Sequence, residues 1–138
     1  MGTTSIVFTD NVEKYRHFIL EELKAFNIRC IGQASNGVEL LRILGPLKPD
    51  VVLLDLEMPV MDGNEALDHI MEKFPETKVI ILSMHYEQLL VEDYINRGAR
   101  GYIPKDEIAG DIKLLVKAIE AVKVGNVFIH HLPPEKQG

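Results

Sequence analysis

Five short runs of β-forming residues alternate with five segments of helical period along this chain. That alternation restricts the fold more than any other feature. The runs are Ile6-Val7-Phe8, Ile28 to Ile31, Val51 to Leu54, Val79 to Leu82 and Gly101-Tyr102-Ile103. Between them, apolar residues recur three and four positions apart. One set is Val12, Tyr15, Ile19, Leu23 and Phe26; a shorter one is Val38, Leu40, Leu41 and Leu44. Ala66, Leu67, Ile70, Met71 and Phe74 mark a third helix, and Leu90, Val91, Tyr94 and Ile95 a fourth. Ile108, Ile112, Leu115, Ile119 and Val122 mark a fifth. Such spacing gathers apolar side chains on one face of a helix. Gly45-Pro46, Pro49-Asp50, Pro75 and Gly98 are expected to break the chain between elements. Repeated βα units imply a parallel sheet with helices on both faces. Right-handed crossovers leave few arrangements. The predicted fold is therefore α/β: a five-stranded, doubly wound (βα)5 sheet in the order 2-1-3-4-5, with its switch point between strands one and three.

Polar residues stand where the strands end. Asp10 follows strand one, Asp55 strand three and Ser83 strand four, while Lys105 lies two residues beyond strand five. In a parallel sheet these ends point the same way, so the four groups are expected to share one pocket. Asp10 and Asp55 flank the switch point. Two carboxylates that close repel unless a cation or a proton intervenes. A hard divalent cation with oxygen ligands, most simply Mg²⁺, resolves the conflict. A carboxylate nucleophile, a metal, an ammonium and a hydroxyl together suit phosphoryl transfer, whose catalysis is mostly positioning and charge neutralisation.

Taken in order, several short motifs resemble the receiver domain of bacterial two-component response regulators. They are Phe8-Thr9-Asp10, Gln33 to Gly37, Pro49 to Asp55, Met58-Pro59 with Met61-Asp62-Gly63, Leu82 to His85, and Gly98 to Asp106. Lys105-Asp106 and Gly125-Asn126-Val127-Phe128 resemble the LuxR/NarL-type (FixJ-like) subfamily. The resemblance covers about residues 5 to 124. It implies a flavodoxin-like fold, with residues 1–124 as the receiver and 125–138 as a linker, or the start of a connection to an output domain.

The resemblance also implies roles. Asp55 would accept a phosphoryl group from a sensor histidine kinase. Asp10, Asp55 and the backbone carbonyl of Glu57 would hold Mg²⁺, with Asn11 as a further candidate ligand. Ser83, Lys105 and Tyr102 would bind or read the phosphoryl group, Ser83 and Tyr102 turning inward. The implied partners are the kinase, a C-terminal helix-turn-helix output domain that this chain lacks, and a second copy meeting it through helix 4, strand 5 and helix 5, or through helices 1 and 5. One residue departs from the pattern: the family has two adjacent acids after strand one, and here the pair is Asp10-Asn11. Mg²⁺ binding is expected to be weaker for the missing charge.

Composition narrows the alternatives. The net charge of −6 argues against a nucleic-acid-binding or anionic-membrane surface spread over the chain. No apolar run approaches the length of a membrane span. The first residues lack the basic and apolar regions of a signal peptide. The single cysteine, Cys30, excludes an internal disulfide, and a reducing cytoplasm fits. Two other readings remain. One is a pseudo-receiver that Asn11 has disarmed and that acts only through interactions. The other is an aspartate-nucleophile phosphatase of the haloacid-dehalogenase type. His130-His131 lacks the ligand spacing of a metal site.

Overall fold

The computed structural model describes residues 2–136. Met1, at the segment tested for a signal peptide, and Gln137 and Gly138, at the end of the expected linker, lie outside the described residues. Strands β1 (Thr4–Thr9), β2 (Ile28–Ala34), β3 (Val51–Asp55), β4 (Val79–Ser83), β5 (Gly101–Pro104) and β6 (Phe128–Ile129) form one sheet in the order β2-β1-β3-β4-β5-β6. Every pairing is parallel. The α/β fold, the doubly wound order and the switch point are as expected. The count of five strands is corrected to six among the described residues.

The sixth strand falls within the stretch expected to be a linker. Phe128 N–H donates to Arg100 O at 2.9 Å, and His130 N–H to Tyr102 O at 3.2 Å. A sheet edge carries a row of unpaired backbone groups, and a short run of β-formers satisfies them. Two residues give too little periodicity to be read as a strand from sequence.

The helices are α1 (Glu13–Leu23), α2 (Gly37–Leu47), α3 (Gly63–Lys73), α4 (Gln88–Asn96), α5 (Lys105–Ala109) and α6 (Ile112–Lys123). The fifth expected helix is two. Gly110-Asp111 interrupts it, yet Ile108, Ile112, Leu115 and Ile119 still reach the same apolar cluster. Gly45-Pro46 does not break α2, which runs through both residues to Leu47. Proline removes one helical donor. Here the helix ends one residue later, where Lys48, at φ 44°, donates its N–H to Leu44 O. Gly98 does end α4, at φ 114°, and a Cβ there would overlap the Met71 sulfur.

Two apolar clusters cover the two faces of the sheet. Ile6, Phe8, Leu53 and Ile80 pack beneath α1 and α6. Val7, Val52, Leu54 and Ile81 pack beneath α2, α3 and α4. Every residue of β3, β4 and β5 is buried. This is the pattern of central parallel strands. It leaves the carboxyl ends of the strands as the place where polar side chains gather.

Candidate functional site

Asp10 leaves β1 fully buried. Its backbone N–H donates to Ala34 O, and its Oδ1 accepts from Val12 N–H at 2.8 Å. Arg16, one turn into α1, donates a guanidinium N–H to the Asp10 carbonyl. The carboxylate is thus fixed at both its backbone and its side chain.

Asp55 ends β3 and is 3% exposed. Its Oδ1 accepts from Glu57 N–H at 3.2 Å. Gly63 closes over the same turn: its N–H donates to Leu56 O, and a Cβ on it would overlap the Asp55 carbonyl oxygen. The requirement for glycine here is one of space rather than of φ. Asp62, next to it, accepts from Glu65 N–H and caps α3, so Asp55 is free of that duty.

Lys105 begins α5 directly after β5, and its side chain reaches across β4 and β3 to both acids. Nζ lies 2.6 Å from Asp10 Oδ2 and 3.3 Å from Asp55 Oδ1. It also stands 4.7 Å from the centroid of the Tyr15 ring. Tyr15 meets Phe8 edge to face, and its buried hydroxyl has no hydrogen-bond partner among the described residues. An aromatic face attracts an ammonium through its quadrupole. Two carboxylates and one ammonium leave a net negative charge in the pocket. Burial pushes the Asp55 carboxyl above its ordinary value; Lys105 opposes that shift, and Asp10 adds to it. The Tyr15 hydroxyl is also pushed up, by burial first and then by Asp10 and Asp55.

Ser83 and Tyr102 meet at one backbone residue. Ser83 Oγ accepts from His85 N–H at 3.1 Å, and the Tyr102 hydroxyl donates to His85 O at 2.8 Å. Tyr102 already stands inward in this structure, wholly buried between Tyr86 and Tyr94, with ring centroids 6.1 and 6.0 Å away. Ser83 does not cap α4, which starts at Gln88 with no side-chain cap.

All four strand-end residues therefore lie at one end of the sheet, with Asp10, Asp55 and Lys105 in direct contact. Glu57 is exposed and faces His85, with oxygen and nitrogen 3.6 Å apart. Asn11 is exposed beside Asp10. His130 and His131 do not form a metal cluster: they contact Glu107 and Tyr86 respectively. Two participants, Tyr15 and Arg16, carry no sequence signal for their part in the site. Both are helix residues whose contacts depend on where α1 lies. Val60, at φ 69° and 83% exposed, is a β-branched residue in a left-handed conformation within the loop after Asp55. Val60 has no local signal at all.

The donor set at this end of the sheet suits a hard cation. It offers carboxylate and carbonyl oxygens, with one negative charge that Lys105 leaves uncompensated. Among the described residues, no three His, Cys, Asp or Glu side chains gather as ligands. A cation here would need backbone carbonyl and amide oxygens as well as the two acids.

Comparison with known proteins agrees with this fold. The family model of the response regulator receiver domain matches residues 6–120. Chemotaxis protein CheY of Listeria monocytogenes is 38% identical over 100 residues, covering 72% of this chain and 84% of CheY. Transcriptional regulatory protein LnrK of Bacillus subtilis is 34% identical over 131 residues, covering 94% of this chain and 57% of LnrK. A crystal structure of a two-component response regulator of the LuxR family from Aurantimonas superposes with a TM-score of 0.84 at 25% identity, covering 97% of this chain and 92% of that one. The chain spans about half the length of the curated transcriptional regulators it matches.

Proposed function

The chain belongs to the response regulator receiver domain family, and from that premise we propose that Asp55 accepts a phosphoryl group from a phosphohistidine on a sensor histidine kinase. The phosphorus–nitrogen bond breaks and its electron pair stays on the imidazole. A bond forms between phosphorus and an Asp55 carboxylate oxygen. One observation carries this reading: a buried carboxylate at the switch point touches the lysine that follows β5 while a second buried acid shares that lysine.

Each residue then has a task. Burial, opposed by Lys105 and reinforced by Asp10, raises the Asp55 carboxyl above its ordinary value, which makes its carboxylate the more nucleophilic. Lys105 supplies a positive charge to the incoming phosphoryl oxygens, held in place by Asp10 and the Tyr15 ring. The Ser83 hydroxyl, one strand away, donates to a phosphoryl oxygen. Tyr102 reads the change through His85. Asp10, Asp55 and the Glu57 carbonyl, with Asn11 as a further candidate, would hold Mg²⁺, which would supply charge neutralisation for the transferring group. The chain acts as a signalling switch on its own aspartate. The haloacid-dehalogenase reading is set aside by the family match.

Residues 1–124 form the receiver, and residues 125–138 are a linker or the start of a connection to an output module. The likeness to LuxR-family regulators favours a helix-turn-helix output, control of transcription and a cytoplasmic location. No helix of the described residues is long and apolar enough to cross a membrane. Dimerisation through α4, β5 and the α5–α6 unit is the expected output contact.

Acetyl phosphate with Mg²⁺ tests the reading by intact mass. A gain of one phosphoryl group, lost in Asp55→Asn, is the expected result. No gain in the unmodified sequence would leave the interaction-only receiver as the better description.

A further inference from the structure

The two residues proposed to touch phosphoryl oxygens each open a segment that grips the end of the chain. Three residues after Ser83 comes Tyr86, whose hydroxyl lies 3.3 Å from His131 Nδ1. Two residues after Lys105 comes Glu107, whose Oε1 lies 3.1 Å from His130 Nε2. Between these grips, His130 N–H donates to the carbonyl of Tyr102, whose ring meets Tyr86 edge to face. Phe128 packs on one apolar cluster, and Ile129 and Leu132 on the other. Segment 128–132 is thereby attached to the β4–α4 loop, to β5 and to α5 at once.

We infer that the β5 edge, with Tyr86 and Glu107 beside it, is an interaction surface whose occupant is the chain's own segment 128–132, and that phosphorylation of Asp55 releases this occupant. The inference rests on the function proposed above. Ser83 Oγ now accepts from His85 N–H, so turning the hydroxyl toward a phosphoryl group withdraws a bond that shapes the loop bearing Tyr86. Drawing Lys105 from Asp10 toward the phosphoryl group pulls on the first turn of α5, which bears Glu107. Both grips are attached to elements that would move, and the strand between them is only two residues long. Seated, β6 gives β5 a neighbour on each side and closes that edge to a second chain. Released, it opens the edge. Coupling of this kind is reciprocal, so loosening the segment must also loosen the loop.

Amide hydrogen exchange on the full chain tests this in two arms. In the first, no phosphodonor is present and His131→Leu removes the Tyr86 grip. Exchange at His130 and at His85 is expected to rise several-fold; an unchanged His85 amide overturns the coupling. In the second, acetyl phosphate and Mg²⁺ are added and intact mass confirms the phosphoryl group. Protection of the Phe128 and His130 amides is expected to fall about tenfold, and to stay unchanged in Asp55→Asn. Phosphoryl uptake with full protection retained overturns the release but leaves the phosphoacceptor reading standing. Failure of uptake strikes the phosphoacceptor reading instead, and the first arm then decides the coupling alone.

Discussion

Lys105 and Asp10 stand 95 residues apart in the chain, and their side chains meet at 2.6 Å. Asp55 shares the same ammonium from 3.3 Å. The pocket therefore sets one mostly buried positive charge against two buried negative ones. A buried pair stabilises only when its desolvation is repaid, and here the second acid is repaid least.

Asp55→Asn should stabilise the fold at neutral pH. Burial, partly offset by Lys105, raises the native pKa of Asp55 above its unfolded value of 3.8. A raised acid pKa means that the native state binds its proton first as pH falls, so the unmodified protein gains stability on acidification through that range. The variant should melt a few degrees higher at pH 7. Its advantage should shrink as pH falls through the native pKa and vanish below the unfolded one. Thermal melts across that range check it; an advantage that grows at acid pH would contradict the assignment.

Asn11→Asp should tighten Mg²⁺ binding. A full charge roughly 4 Å from the ion contributes a few kcal/mol at an effective dielectric of about 20. Desolvation offsets part of this, leaving an expected gain of about tenfold or more. Calorimetric titration with Mg²⁺ at fixed ionic strength measures it. Equal affinities would show that Asn11 lies outside the ion's reach.

Tyr15 should matter through its ring and not its hydroxyl. Phenylalanine keeps a face under Lys105, and leucine does not. Tyr15→Phe is therefore expected to take up phosphate from acetyl phosphate at the original rate or slightly faster, since the hydroxyl lacks a partner among the described residues. Tyr15→Leu should slow uptake about threefold to tenfold, the scale of one partly buried cation–π contact. Equal slowing in both variants would assign the role to the hydroxyl.

Val60→Gly should stabilise the chain. The left-handed conformation costs a β-branched residue about 1–2 kcal/mol, and the exposed side chain buries little to offset it. Glycine's larger unfolded-state entropy returns part of the gain. A melting temperature higher by roughly 4 °C is expected. A lower one would mean that the Val60 side chain supports the loop after Asp55.

The strand ends were the legible part of the site. Asp10, Asp55 and Ser83 each follow a β-forming run directly, so their shared end of the sheet follows from strand direction alone. Lys105 was legible for the same reason, but its contacts were not. β5 is separated from β1 by two strands, and only the length of the lysine side chain lets Nζ reach Asp10. Tyr15 read as one more apolar position on α1, because periodicity records that a residue faces inward and not what it meets there.

The sequence by itself determined the alternation of elements, the parallel sheet and which residues stand at its carboxyl ends. These follow from local sterics and from the burial each residue type requires over a few positions. The tertiary structure alone decided that one lysine serves two acids over an aromatic ring, that Tyr102 already stands inward, and that segment 128–132 seats on β5 between Tyr86 and Glu107. Each of those depends on the distance between elements far apart in the chain, and no local pattern encodes that distance.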